Sequence, residues 1–150
     1  MALDRQTEMS PTETDALLGR HETGVLSLAE GDEPYAIPIS YGYDAADRVF
    51  YFRLVSTPES EKRRFLGSSP RVRLVVYEEG PPTYRSAVAT GTMETVETSD
   101  LTVEDVEGFG EARRPLFEIW AESKRDLDVQ LFQLSPGDLS GRRITVEAEP

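Results

Sequence analysis

The sequence predicts a mainly β protein with a few helices, built on one antiparallel sheet that closes on itself. Two observations predict it. Five runs of β-formers, at 23–29, 34–43, 48–54, 71–78 and 83–96, follow one another through short polar links. None of these links has room for the helical crossover that parallel neighbours require, so the strands pair antiparallel. The length of 150 residues suits one domain with a core of its own, and no repeat or linker divides the chain.

Residues 1–9 are polar and aperiodic and read as a flexible lead-in. Ser10, Pro11, Thr12 and Glu13 then spell an N-cap, a first-turn proline and an N3 glutamate. They predict a short helix from about Pro11 to His21, with Leu17 and Leu18 buried and His21 capping its last turn. Val25, Leu26 and Leu28 make the first run, and Glu30, Gly31 and Asp32 turn it into a hairpin.

In the second run Tyr35, Ile37, Ile39, Tyr41 and Tyr43 alternate with Ala36, Pro38, Ser40 and Gly42. The period of two gives one bulky face and one small face against which a flat ligand can lie. Pro38 has no N–H for a ladder, which predicts an edge or a bulge there. Val49, Phe50, Tyr51 and Phe52 carry the third run. A polar loop at Ser56–Ser60 leads into a helical Glu61–Leu66 that stops at Gly67. The turn Gly80, Pro81, Pro82 separates the fourth and fifth runs. Between 101 and 124 the spacing of Leu116, Phe117, Ile119 and Trp120 predicts a helix or helical pair. Val129, Leu131, Phe132 and Leu134 suggest a further core strand, and 140–146 one more.

Sixteen Lys and Arg against 28 Asp and Glu leave a net charge of −12. Such a charge repels phosphate backbones and anionic membranes, so neither nucleic acid nor membrane is expected as a partner. The acidic excess is spread along the chain, which suits a solvated surface in a high-salt cytoplasm better than the alternative of an acidic functional surface. With no cysteine and one histidine, the chain offers no thiol nucleophile, iron–sulfur cluster or Cys- or His-rich metal site. Redox chemistry would therefore need a bound organic cofactor. No apolar run reaches membrane-span length and no signal pattern is present, which predicts a cytoplasmic protein.

Ser60 and Lys62 stand where a helix should begin, so backbone N–H groups, a hydroxyl and an ammonium can converge on a phosphate. The plain alternative is a solvated basic first turn, since Lys62, Arg63 and Arg64 are consecutive. Three of the sixteen cations in so acidic a chain nonetheless favour an anionic ligand there. Arg53 shares a strand face with Val49 and Tyr51 and either meets an anion or lays its stem over its neighbours. Ser40 and Ser86 either hydrogen-bond a planar heterocycle or are small residues where packing is tight. Trp120 lies on an apolar stripe with Phe117, either as core or as the wall of a cofactor site. No nucleophile elbow, phosphate-binding P-loop or dinucleotide fingerprint occurs.

The ordered segments PYAIPISYGYD (Pro34–Asp44), VFYFRL (Val49–Leu54), SEKRRFL (Ser60–Leu66), RVRLVVY (Arg71–Tyr77) and YRSAVATGTME (Tyr84–Glu94) resemble the pyridoxamine 5′-phosphate oxidase-like, flavin-binding split-barrel superfamily. The small branch with nitroimidazole-resistance proteins is the most similar. The resemblance implies an antiparallel Greek-key split β-barrel that forms a homodimer, with FMN in a groove between the subunits. It lays Ile37, Pro38, Ile39, Ser40 and Tyr41 along the isoalloxazine, and Tyr51, Phe52 and Arg53 by the ribityl chain and phosphate. The family's Ser-Arg-Lys phosphate grip reads Ser60, Glu61, Lys62, with Arg53 or Arg64 as compensating cations. Ser86 matches the position of a ring contact, and Trp120 either closes the partner's flavin groove or packs on its own barrel. The acidic composition is similar to that of halophilic archaeal members.

Two features depart from the classical oxidases. The tryptophan and Arg-Leu-His-type segment with which those enzymes end are not found after Gln133, and the chain is shorter. The expected function is therefore a flavin-dependent oxidoreductase acting on a small molecule other than a B6 vitamer, with no side chain assigned as catalytic acid or base. The rival is a binding or sensing module that keeps the flavin without turnover. F420 and haem are minor alternatives: the first has an acidic tail that wants more cations, the second an axial ligand for which only His21 is offered.

Overall fold

The computed structural model describes residues 5–56, 65–66, 70–97 and 128–146. Their order is β1 (Arg5–Glu8), α1 (Pro11–Arg20), β2 (Thr23–Glu30), β3 (Glu33–Ser40), β4 (Gly42–Asp44), β5 (Val49–Ser56), β6 (Arg71–Gly80), β7 (Thr83–Thr95), β8 (Asp128–Leu134) and β9 (Asp138–Thr145). All the pairings are antiparallel, in the order β3-β2-β6-β7-β8-β5-β4, with β9 between β7 and β1. The helix expected over 101–124, with Trp120, and the loop carrying Ser60, Lys62 and Arg64 lie outside the described residues.

Closure comes from one continuous stretch of chain. β3 pairs with β2 and, after Tyr41 alone, β4 pairs with β5. The two ends of the strand order are thus the two halves of one run of residues, which joins them and curls the sheet into a split barrel. The alternation in Pro34–Tyr43 is the signature of this run, and the single residue at which it changes partner leaves no mark in the sequence. Pro38 sits on β3, whose ladder among the described residues is to β2 alone, so its missing N–H costs no pairing. A long strand, β7, does the second exchange: it holds β6 on one side and passes from β9, opposite Thr83–Thr90, to β8, opposite Met93–Thr95, on the other.

The hairpin between β2 and β3 closes through Gly31 and Asp32, with Glu30 opposite Glu33. Gly31 takes φ +61, a conformation that costs a glycine nothing. Inside the barrel lie Leu26, Leu28, Ile39, Tyr41, Phe50, Phe52, Leu54, Val72, Leu74, Val76, Met93, Phe132 and Leu134. Leu17 and Leu18 of α1 join this core near Tyr41, while the ring of Phe65 stacks on Tyr35 at 4.8 Å. Tyr35 and Tyr41 are six residues apart on one extended run, about 20 Å, so α1 and Phe65 pack at opposite ends of it.

α1 forms as its sequence dictates: Ser10 Oγ accepts from the Glu13 N–H, Pro11 opens the first turn, and His21 is the C-cap. Ion pairs hold it to the sheet. Arg143 Nη1 lies 2.7 Å from Glu13 Oε2. Arg20 grips Glu78 with Nε and Nη2 at 2.9 and 2.5 Å, and His21 Nε2 lies 2.5 Å from the same carboxylate. Residues 5–8, which carry no periodicity, form β1 against β9.

Candidate functional site

The register decides which predicted site residues share a face. On β5, Phe50, Phe52 and Leu54 point into the core, so Tyr51 and Arg53 point outward. On the β3–β4 run, Ile37, Ile39 and Tyr41 face the core, so Pro38, Ser40 and Gly42 face out. Gly42 stands opposite Tyr51, and the same register leads Ser40 toward Arg53. Ser40, Gly42 and Tyr51 are buried although they face away from the core; Ser40 is 4 % and Tyr51 3 % exposed. Arg53 is half-buried beside them, and Gln133, opposite Tyr51 on β8, completes the row.

This outer row is the candidate site. It brings a hydroxyl, a phenol, a guanidinium and a carboxamide to adjacent strands about 4.8 Å apart, donors and acceptors suited to a polar, ring-bearing ligand that carries an anion. Pro38, exposed, extends the same face of β3. Gln133 escaped sequence reasoning, although the alternation Leu131-Phe132-Gln133-Leu134 places it on the opposite side from Phe132 and Leu134.

The other predicted residues fall elsewhere. The Phe52 ring, with no exposed surface, is packed inside the barrel, stacked parallel to Phe50 at 6.5 Å. Ile37 and Ile39 also give their side chains to the core. Tyr41 is core as well, its phenol donating to the Leu18 carbonyl at 2.7 Å. Alternation turns these four side chains into the barrel interior, so on these strands the outward-facing side chains are those of Pro38, Ser40, Tyr51 and Arg53. Ser86 is on the outer face of β7, separated from Pro38 by β2 and β6, about 14 Å of sheet. One chain does not bring them together.

Electrostatics near the β3–β4 run keep its phenols neutral. Burial, and secondarily the charge of Glu22, raise the Tyr41 pKa well above the phenol range. For Tyr43 burial again leads, followed by its hydrogen bond to Asp15 Oδ1 at 2.6 Å, with Arg48 opposing. Neither serves as an acid or base at neutral pH. Arg48, at φ 53, also reaches Asp15, its Nη2 3.4 Å from Oδ2.

A cavity of about 100 Å³ beside the start of α1, lined among others by Glu8, Thr14, Arg48 and Ser140, is too small for a flavin. Among the described residues no cluster of His, Asp and Glu is placed to hold a metal, and no helix is long and apolar enough to cross a membrane.

Comparison with known proteins agrees with this architecture. An FAD-binding protein of Mesorhizobium loti superposes with a TM-score of 0.70 at 22 % identity, over 97 % of this chain and 99 % of that one. A protein of Bacteroides thetaiotaomicron assigned to 5-nitroimidazole antibiotic resistance gives 0.71 at 14 %, over 100 % and 95 %. The FAD-binding protein of Mycobacterium smegmatis gives 0.64 at 19 %, over 93 % and 98 %. These likenesses show the split-barrel fold. No functionally curated protein matches the chain. The profile of the pyridoxamine 5′-phosphate oxidase family matches residues 10–143, and the chain belongs to that family.

Proposed function

We propose that this protein binds FMN as a homodimer and uses it as an oxidoreductase toward a small-molecule substrate. The observation that carries the reading is the outer row: Ser40 and Tyr51 are buried on the face of the barrel that points away from the core, with Arg53 beside them. A side chain turned away from a barrel's interior is normally solvated. Burial of a hydroxyl and a phenol there sets the polar groups of this row apart from bulk water.

The residues fit the cofactor. Ser40 and Tyr51 offer hydrogen bonds to a heterocycle and ribityl chain, and Arg53 offers a cation for a phosphate. Lys62 and Ser60 of the family's phosphate-gripping segment would add to Arg53. FMN, when bound, supplies hydride or electron transfer; the chain binds, orients and shields it. The distance from Pro38 to Ser86 within one chain supports the dimer, because a ligand touching both faces needs Ser86 from a second copy.

The test is an absorbance spectrum of protein purified in high salt, incubated with FMN or FAD and freed of unbound ligand. About one FMN per chain is expected, with FAD held less firmly. A colourless protein overturns the assignment and leaves a binding module for another ligand. Flavin that is bound but never reduced by a nicotinamide donor favours the sensing role over turnover.

A further inference from the structure

Four arginines among the described residues find a carboxylate: Arg20 and Arg85 meet Glu78, Arg48 meets Asp15, and Arg143 meets Glu13. Arg71, Arg73 and Arg142 are exposed and make no ion pair among the described residues, in a chain that carries 28 acids. Arg71 and Arg73 are neighbours on the outer face of β6, two residues and about 7 Å apart, so two like charges stand side by side without compensation. In register with Arg73 are Ser27 on β2 and Thr90 on β7. Thr90 is only 9 % exposed, and its hydroxyl has no hydrogen-bond partner among the described residues. A buried hydroxyl and two guanidinium groups that find no partner among the described residues have the composition of an oxyanion cradle.

We propose that the outer face of β6 around Arg71, Arg73 and Thr90 is a binding site for the phosphate group of a small ligand. It is distinct from the Ser40–Tyr51–Arg53 row and does not depend on the flavin reading. Guanidinium groups supply paired N–H donors suited to phosphate oxygens, and the Thr90 hydroxyl supplies a further donor from the neighbouring strand. The flanking acids are Asp138, in register with Thr90 on the far side, and Glu94, two residues beyond Thr92. Neither pairs with Arg71 or Arg73, so both set a limit on how much negative charge the site accepts without displacing the arginines from it.

The test is an NMR titration of the full chain with inorganic phosphate at low salt, repeated with saturating FMN. Shifts at Arg73, Ser27 and Thr90 are expected whether or not FMN is present. Arg73→Gln should raise the Kd at least about tenfold, and Thr90→Val several-fold, in keeping with loss of charge-assisted and neutral hydrogen bonds. Arg142→Gln, on the same face but outside the cradle, should leave it unchanged. An Arg142→Gln effect as large as that of Arg73→Gln would reduce the site to a general attraction and overturn the proposal. So would phosphate shifts that FMN abolishes, or a silent titration. Failure of the flavin reading shows separately, as loss of FMN retention.

Discussion

The phenol of Tyr41 donates to the main-chain carbonyl of Leu18 at 2.7 Å. The residue at which the chain changes strand partner is thereby tied to the helix that closes the barrel's end. Both groups are buried, so the bond also satisfies a carbonyl near the end of α1 that the helix itself does not use. Tyr41→Phe keeps the ring and removes the donor. It should cost about 1–2 kcal/mol, read as a lower urea midpoint with an unchanged m-value.

Gly141 on β9 lies against the turn that enters α1. A Cβ there would overlap Thr14 Oγ1 and come within 2.6 Å of Met9 Cε, while the Met9 N–H donates to the Gly141 carbonyl at 2.8 Å. Gly141→Ala should destabilise by about 1–3 kcal/mol because helix and strand must separate. Gly137→Ala, whose Cβ would find its nearest neighbour at 4.0 Å, should be close to neutral in the same denaturation series.

The Glu78 carboxyl is drawn down to about 2, first by the Arg20 hydrogen bonds and then by those of His21 and the charge of both, against an opposing effect of burial. A depressed folded-state pKa adds stability that is present above the unfolded value, near 4.5, and is lost as pH falls through that value toward 2. The difference between wild type and Glu78→Gln should therefore be largest near neutral pH, about 1 kcal/mol, and should shrink between pH 5 and 2. Equal differences at pH 7 and pH 3 in urea titrations would contradict this.

Lys62→Ala should weaken FMN binding about tenfold or more if the lysine holds the phosphate, while Arg63→Ala should change it little. Quenching of flavin fluorescence on titration measures both. Equal retention of FMN by the two variants would remove Lys62 from the phosphate contact.

Much of this architecture is legible in the sequence because it depends on local chemistry. The cap at Ser10 with Pro11 and Glu13 sets the start of α1, and the period of two through Tyr35, Ile37 and Ile39 sets the inner face of β3. What local pattern does not carry is partnership. Nothing in residues 5–8 announces that they pair with β9, because a strand held at a sheet's margin needs no apolar alternation. The change of neighbour along β7 is equally silent, since one strand pattern serves both partners. For the site, the resemblance supplied Ser40, Tyr51 and Arg53, which the fold gathers on one face. It also supplied Tyr41 and Phe52, whose side chains alternation commits to the core. Gln133 required the β5–β8 register, a long-range fact.

The pairing of β1 with β9 sets Arg5 opposite Thr145 and makes the earliest strand wait for the latest. Contacts between residues so far apart in sequence carry a large loop-closure entropy and form slowly. The hairpins β2–β3 and β6–β7, linked by two-residue turns, can form first, leaving β9 to dock along β7 and recruit β1 afterwards. The β1–β9 seam is therefore where refolding should finish, and where exchange of amide hydrogens should show the last protection to be acquired.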